Sequence, residues 1–471
     1  MKSIKKLFAL SLGLWMFLWN GEAITKTVGT GQNYATLKLA FAAINTNSGN
    51  TFQGAVVLQI AANVSEADSA VLLKPPTNGY TSVLIYPTSA GLSVTGTKKT
   101  VIRLDGATNV TIDGRVNQIG AADLKIENTG TCQSTISFWN SAQTNTIKYC
   151  KIFGNGTIGI INFSKSTTGT GNKNNTISYN EITSYTGSRP IAAINSMTYT
   201  AATFSNSGIT IDNNKFYDFI NLSSNSFGIN IGDYSSDFTI TNNSFCESGT
   251  SSSATGFYQI INVNSPTGSK FNISNNFIGG STGRCGGTWA KAGNANDFYA
   301  IKVNAGGTGT NATTIQGNKI KNLNLTNVAT AKNFYGIYVS GACEANIGTT
   351  TANIIGAATG NDSIILSNNA NGANFTGIYL ANSGATSCDN NTVGSIKADN
   401  RESIYATHCY GINKTNSGGT LSINNNLIGS QSTAGSITAT GTSTGSAQNL
   451  RAIYSQSAAT VTISNNIISN L

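Results

Sequence analysis

Through most of the chain, apolar residues alternate with polar or small ones in short bursts that end at Asn, Gly or Ser. "GITIDNNKF" at Gly208–Phe216 sets the pattern. "DFTITNNSF" (Asp237–Phe245), "KFNISNNFI" (Lys270–Ile278) and "TVTISNNII" (Thr460–Ile468) repeat it. Period two with a β-branched bias predicts strands of about four or five residues. A second phrase alternates with the first, as "FGINIG" at Phe227, "FYAIKVN" at Phe298, "FYGIYVS" at Phe334, "FTGIYLA" at Phe375 and "CYGINK" at Cys409. Anchored on its isoleucine, this phrase falls at residues 160, 194, 229, 260, 301, 337, 378, 412 and 453, in steps of 31 to 41 residues. A near-constant step with variable slack marks a repeat whose insertions fall in loops.

Two or three short strands per repeat, with no helical pattern between them, predict an all-β parallel β-helix of roughly a dozen coils. Each strand lies beside its counterpart one coil earlier, about 4.8 Å away, and isoleucines stack inside. The Asn pair marks the bend from one sheet to the next. Asn tolerates the left-handed backbone that a bend needs. Its amide both donates and accepts, so Asn stacked on Asn forms a ladder along the axis. Asn180, Asn214, Asn243, Asn276, Asn318, Asn426 and Asn466 are the expected rungs, serving as scaffold rather than ligand site.

The beginning of the chain differs. "NYATLKLAFAAIN" places Tyr34, Leu37, Phe41 and Ile44 at helical spacing, which predicts one short amphipathic helix. Laid across the open end of the coils, that helix caps the solenoid. The expected division is a leader over 1–23, a cap over 24–50 and the β-helix over 51–471. The last coil, in "SNNIISNL", reads as uncapped or truncated.

The leader combines Lys2, Lys5 and Lys6 with an apolar run from Leu7 to Trp19 and a small-x-small site at Gly21-Glu22-Ala23. That is the form of a secretory signal peptide cleaved near Ala23. No segment is long and apolar enough for a transmembrane span. The expected location is therefore secreted or at the outer cell surface. Without the leader, the totals of 28 basic and 19 acidic residues lose three Lys and one Glu, leaving a net charge of +7. The basic residues are scattered singly, so nucleic acid is not an expected partner. The 61 Asn exceed the charged residues combined, so polarity is carried mainly by neutral amides and hydroxyls that stack without repulsion.

Seven cysteines (132, 150, 246, 285, 343, 388 and 409) sit in an exported chain, where disulfides are permitted. Cys246–Cys285 and Cys343–Cys388 are spaced by about one repeat; buried free thiols are the alternative. With no CxxC motif and a single His, no metal or cofactor is expected.

"TVGTGQNYATLKLAFAAIN", followed by "IRLDGATNVTIDGR" and the Asn-rich coils, resembles the right-handed parallel β-helix proteins of pectin lyase-like fold. Among them it is similar to large secreted surface proteins of the Bacteroidetes, often exported through the type IX system. The resemblance covers nearly all of Thr25–Leu471 and implies the fold. The fold itself carries lyases, hydrolases, esterases and non-enzymatic adhesins.

Catalytic signatures are sparse. The Asp-Asp and Gly-His-Gly motifs of polygalacturonase-like enzymes are absent, and the only histidine, His408 in "ATHCYG", is not flanked by glycine. "YDFIN" at Tyr217 and "GSRPI" at Gly187 match fragments of pectin methylesterase motifs in the wrong order. Arg103, Asp105, Asp113 and Arg115 in "IRLDGATNVTIDGR" are the candidate catalytic residues for a lyase or hydrolase acting on uronate glycans, if they face outward on one sheet. The competing account makes Asp105-Gly106 and Asp113-Gly114 turn dipeptides with each Asp paired to a neighbouring Arg. Calcium at Asp212, Asp233 or Asp237 lacks the repeat that would support it.

The second phrase supports a surface. If Ile337 and Val339 point inward, Tyr338 points outward, and the same register brings Tyr379, Tyr454, Lys302 and Asn413 into one column. Small residues at Ala300, Gly336, Gly377, Gly411 and Ala452 are expected to flank the rings on that face and leave them open to stack on sugars. The alternative is a cross-strand aromatic stack that stiffens the sheet. The leading functional expectation is a non-catalytic adhesin or structural protein that contacts a polysaccharide or cell-surface glycan. Oligomeric state stays open. An ice-binding face is not expected, for want of a uniform Thr lattice.

Overall fold

The computed structural model of the chain describes residues 22–130, 132–165, 169–185, 189–197, 201–221, 223–251, 256–293, 296–327, 332–368, 373–400, 406–416, 418–442 and 447–471. The signal-peptide expectation lies almost wholly outside them. Among these residues the alternating bursts form short parallel strands that stack in register, coil upon coil. The result is a right-handed parallel β-helix. Sheet I has 14 strands, from Ile24–Val28 to Val461–Ser464. Sheet II has 13, from Val64–Glu66 to Ile467–Ser469. Sheet III has 12, from Ala70–Leu73 to Asn449–Ser455. The first Asn-bearing phrase supplies sheets I and II, and the second supplies sheet III. A five-stranded sheet IV, from Trp289–Lys291 to Ile437–Gly441, gives the later coils a fourth side that periodicity does not reveal.

Isoleucine stacks on isoleucine in the core. Ile177, Ile211, Ile240, Ile273 and Ile315 pair in succession on sheet I, and all are fully buried. On sheet III the aligned isoleucines are 161, 194, 229, 261, 301, 337, 378, 412 and 453. The anchors at 160 and 260 are thus one residue early. Ile160 and Ile260 are also buried, because the strand turns two successive residues inward there and apolarity alone does not separate them.

The same kink explains the small residues beside the tyrosines, and corrects their placement. A Cβ on Gly336 would meet the side chain of Ile355, and one on Gly377 would lie 2.6 Å from the Gly411 carbonyl and 2.8 Å from Val393. These residues face the core, where sheet III approaches sheet II. Gly377→Val is therefore expected to over-pack the core and cost about 1–3 kcal/mol, read as a lower denaturant midpoint.

The Asn pair divides its labour. The first member carries the left-handed backbone, with φ of 54° at Asn213, 57° at Asn242 and 57° at Asn275. The second member is a buried rung. The seven expected rungs all belong to the ladder, and Asn353 and Asn391 complete it between Asn318 and Asn426. Each rung's amide also donates to a strand carbonyl, as Asn243 does to Ile211 at 2.8 Å. The ladder begins at the backbone N–H of Cys150, which donates to Asn180.

The helix spans Leu37–Thr46, with Thr36 as its N-cap and Leu37, Ala40, Phe41 and Ile44 buried. Tyr34 falls before the helix, in a bridge to Val28. Buried Glu66 accepts from the Leu37 and Lys38 N–H groups, and Asn45 bonds Val71 and Leu73. The helix is thereby tied to the first strands of sheets II and III. All seven cysteines are buried free thiols, so neither considered disulfide forms. At the other end, Ile463 and Ile468 occupy columns that are buried in earlier coils but are about half exposed in the last one.

Candidate functional site

Sheet III carries three successive eight-residue strands, and its outer face holds two adjacent aromatic columns. Lys302, Tyr338, Tyr379, Asn413 and Tyr454 follow one another in register, as the spacing predicts. The neighbouring column contains Tyr299, Tyr335, Thr376, Tyr410 and Arg451. The sequence reading missed this second column, although the "FY" dipeptides signal it: Phe298 and Phe334 are buried, so the tyrosine after each must face out.

Four of these rings form a grid. Tyr299 stacks on Tyr335 and Tyr338 on Tyr379, both at 4.8 Å between centroids. The two stacks meet edge to face at 5.4–5.6 Å. The stacking distance equals one coil step, about 4.8 Å, and the planes of the two stacks stand at 73–87° to each other, so the rings form a herringbone along the coil axis. Each ring turns one face to its stack partner, and all four are half-buried. This corrects the expectation of rings lying open for sugars to stack upon. The Lys302 ammonium sits 4.9 Å from the Tyr299 centroid and 6.0 Å from that of Tyr338. Burial pushes the phenols of Tyr299, Tyr335 and Tyr338 up, and it pushes the Lys302 ammonium down against the attraction of Asp297. Further along, the Arg451 guanidinium lies 4.5 Å from the Tyr454 ring, and Thr415 donates to the Tyr379 hydroxyl.

The four candidate catalytic residues divide between sheet III and the end of a sheet I strand. Arg103 and Asp105 lie on sheet III and pair at 2.6 Å, with the guanidinium 4.1 Å from the Trp139 ring. Asp113 ends a strand of sheet I and is fully buried. Arg115 grips it through Nε at 2.9 Å and Nη2 at 2.6 Å, and the Lys148 ammonium lies 3.4 Å away. Burial raises the Asp113 pKa, but the Arg115 hydrogen bonds and Lys148 outweigh it and hold the carboxyl below its usual range. Both pairs are local, in accord with the turn-dipeptide account. Beside Asp105, whose other oxygen accepts from Asn140 at 2.6 Å, runs a groove of about 470 Å³ lined by Lys74, Thr108, Asn140, Gln143 and Thr170.

His408 is half-buried, bonded to Asn449, and its pKa is lowered by burial and then by Arg451. Asp212 accepts from Thr241 and Asn242, Asp233 from Thr267, and Asp237 pairs with Lys270. Among the described residues, no three His, Cys, Asp or Glu gather as a metal site would require.

No protein-family model and no curated protein matches the chain. Among solved structures it is similar to the alginate lyase from Paenibacillus sp. str. FPU-7, at 12% identity over 80% of this chain and 99% of that one, with a TM-score of 0.23. It is also similar to the Streptococcus pneumoniae surface protein and adhesin PfbA, at 11% identity over 91% of this chain and 94% of that one, with a TM-score of 0.27.

Proposed function

We propose that the chain is a secreted or cell-surface β-helix protein, non-catalytic, whose sheet III face contacts glycan as an adhesin or structural stalk. The grid of Tyr299, Tyr335, Tyr338 and Tyr379 with Lys302 carries this reading. A row of phenol hydroxyls and one ammonium, set on a rigid sheet at one coil step, offers donors and acceptors to a chain of hydroxylated rings. Contact draws chiefly on the hydroxyls, because each ring already gives one face to its stack partner. Export rests on the leader at residues 1–23, and the resemblance to type IX-exported surface proteins supports the same destination. Among the described residues no helix is long and apolar enough to cross a membrane.

On a glycan array, Tyr338→Ala/Tyr379→Ala is expected to weaken binding roughly tenfold or more, given what central aromatic contacts contribute. Unchanged binding removes the face from consideration. The second reading, a lyase or hydrolase on uronate glycans, draws on the convergence of Arg115 and Lys148 on Asp113. Turnover of a uronate polymer, measured as unsaturated product or reducing ends and abolished by Arg115→Ala, would favour it over the adhesin reading.

A further inference from the structure

Lysines that look isolated along the chain meet on the outer face of sheet II. Lys215, Ser244, Phe277 and Lys319 are consecutive partners in one outward column. The loop Gly283–Cys285 folds back over that column: the Arg284 N–H donates to the Ser244 hydroxyl at 2.7 Å, and a Cβ on Gly283 would lie 3.9 Å from Cε of Lys215. The Arg284 guanidinium and the Lys319 ammonium sit 5.2 and 5.4 Å from the Phe277 centroid, and Lys215 sits 4.8 Å from that of Tyr217. Two cations thus share the Phe277 ring, and the third lies on the same face against Tyr217. Among the described residues none of the three forms an ion pair. The neighbouring acids are Glu181, one coil before Lys215, and Asp218, which accepts from Ser248. Lys151 extends the column two coils further.

We propose that this face of sheet II is a binding track for an anionic polysaccharide, separate from the tyrosine face of sheet III. Unpaired cations held by aromatic rings and a folded loop are already ordered, so a polyanion gains contacts with little further loss of side-chain freedom. Lys215 and Lys319 stand three coils apart, about 14 Å along the axis at about 4.8 Å per coil, with Arg284 between them. That is a charge spacing suited to a polymer bearing one carboxylate or sulfate per sugar or per few sugars. Duplex DNA presents a charge about every 1.7 Å, far denser than this column with its interleaved Glu181 can match. Single-stranded nucleic acid needs free ring faces, and here cations lie against them.

Affinity electrophoresis of the full chain in gels cast with polygalacturonate, neutral dextran or single-stranded DNA tests the proposal. Retardation by polygalacturonate and not by dextran is expected, falling as salt is raised. Lys215→Gln/Arg284→Gln/Lys319→Gln keeps the apolar stems and removes the charges, and is expected to weaken retardation roughly tenfold or more. Lys215→Arg/Lys319→Arg should retain it, as should Tyr338→Ala/Tyr379→Ala, which separates this track from the sheet III face. Undiminished retardation in the triple variant, or tighter binding of single-stranded DNA than of polygalacturonate, overturns the proposal.

Discussion

Asn276→Ala is expected to destabilise the protein by about 3–5 kcal/mol, although it removes only one small side chain. Asn276 is fully buried. Its Oδ1 accepts from both the backbone N–H and the side-chain amide of Asn243, at 3.0 and 3.1 Å. Its Nδ2 donates to the Ile240 carbonyl and to Asn318 Oδ1. Alanine strips partners from Asn243 and Ile240 in the previous coil, at about 1–3 kcal/mol for each buried group left unsatisfied. Water cannot replace the lost amide, because the rung is closed above and below. Asn275→Gly is the control. Asn275 is exposed with φ of 57°, a conformation glycine adopts freely, and its backbone N–H keeps its bond to Gln316. A change within about 1 kcal/mol is expected there. Denaturant midpoints of both variants check the pair, and amide exchange should show the Asn276→Ala damage spreading from the coils on either side. Equal midpoints would mean that the ladder contributes no more than the turn does.

The contrast between Asn275 and Asn276 also shows where the sequence is informative. Period-two isoleucines and the repeated Asn pair define strand, corner and inward face together, because burial and backbone bonding demand the same residues in every coil. The ladder is legible wherever "I-x-N-N" is intact. At Asn353 the corner is lengthened by Thr349–Thr351, and before Asn391 the expected isoleucine is replaced by Cys388, so both rungs are missed. The off-by-one anchors have a related cause: at Ile160-Ile161 and Ile260-Ile261 both residues are apolar and both are buried. Sheet IV leaves no trace in the period because its strands lie in the segments of variable length.

Outward features are harder to read, since solvent-facing positions need satisfy no packing rule. Lys302, Tyr338, Tyr379 and Tyr454 are recoverable because they follow the inward isoleucine by one residue. The orientation of the rings is not, because it depends on what stands in the same column one coil away. The basic cluster is hidden for a further reason. Lys215, Arg284 and Lys319 are far apart in sequence, and a loop folding back supplies the middle member. Scattered charge along a solenoid is therefore weak evidence against a charged surface, since a step of one coil brings residues 30 to 40 apart into contact.

One buried carboxyl is also expected to withdraw about 3 kcal/mol of stability as the pH rises from 4.5 to 7. Glu247 is fully buried just after the strand Ser244–Cys246, accepting from the Phe219 and Ile220 N–H groups at 2.8 and 3.0 Å and from Arg189. Burial pushes its pKa up to about 7, against the pull of Arg189, from an ordinary value of 4.5. Between those values the folded chain binds more protons than the unfolded chain, so rising pH favours unfolding. The stabilisation is complete below about 4.5 and lost as the pH passes through about 7. Asp113 titrates with the opposite sign below its ordinary 3.8, and His408, lowered from 6.5, with the opposite sign within the window. Glu66 and Asp389, raised by burial, titrate with the same sign as Glu247; all four are common to wild type and a Glu247 variant. The difference between wild type and Glu247→Gln therefore isolates Glu247. Denaturant midpoints from pH 5 to 8 should slope downward in wild type and lie flatter in Glu247→Gln. Arg189→Met sharpens the test. Above pH 7 it leaves a buried carboxylate without its cation and should cost about 3–5 kcal/mol, whereas at pH 5 the carboxyl is protonated and the loss should shrink. Equal slopes in wild type and Glu247→Gln would show that this carboxyl is not what couples the fold to pH.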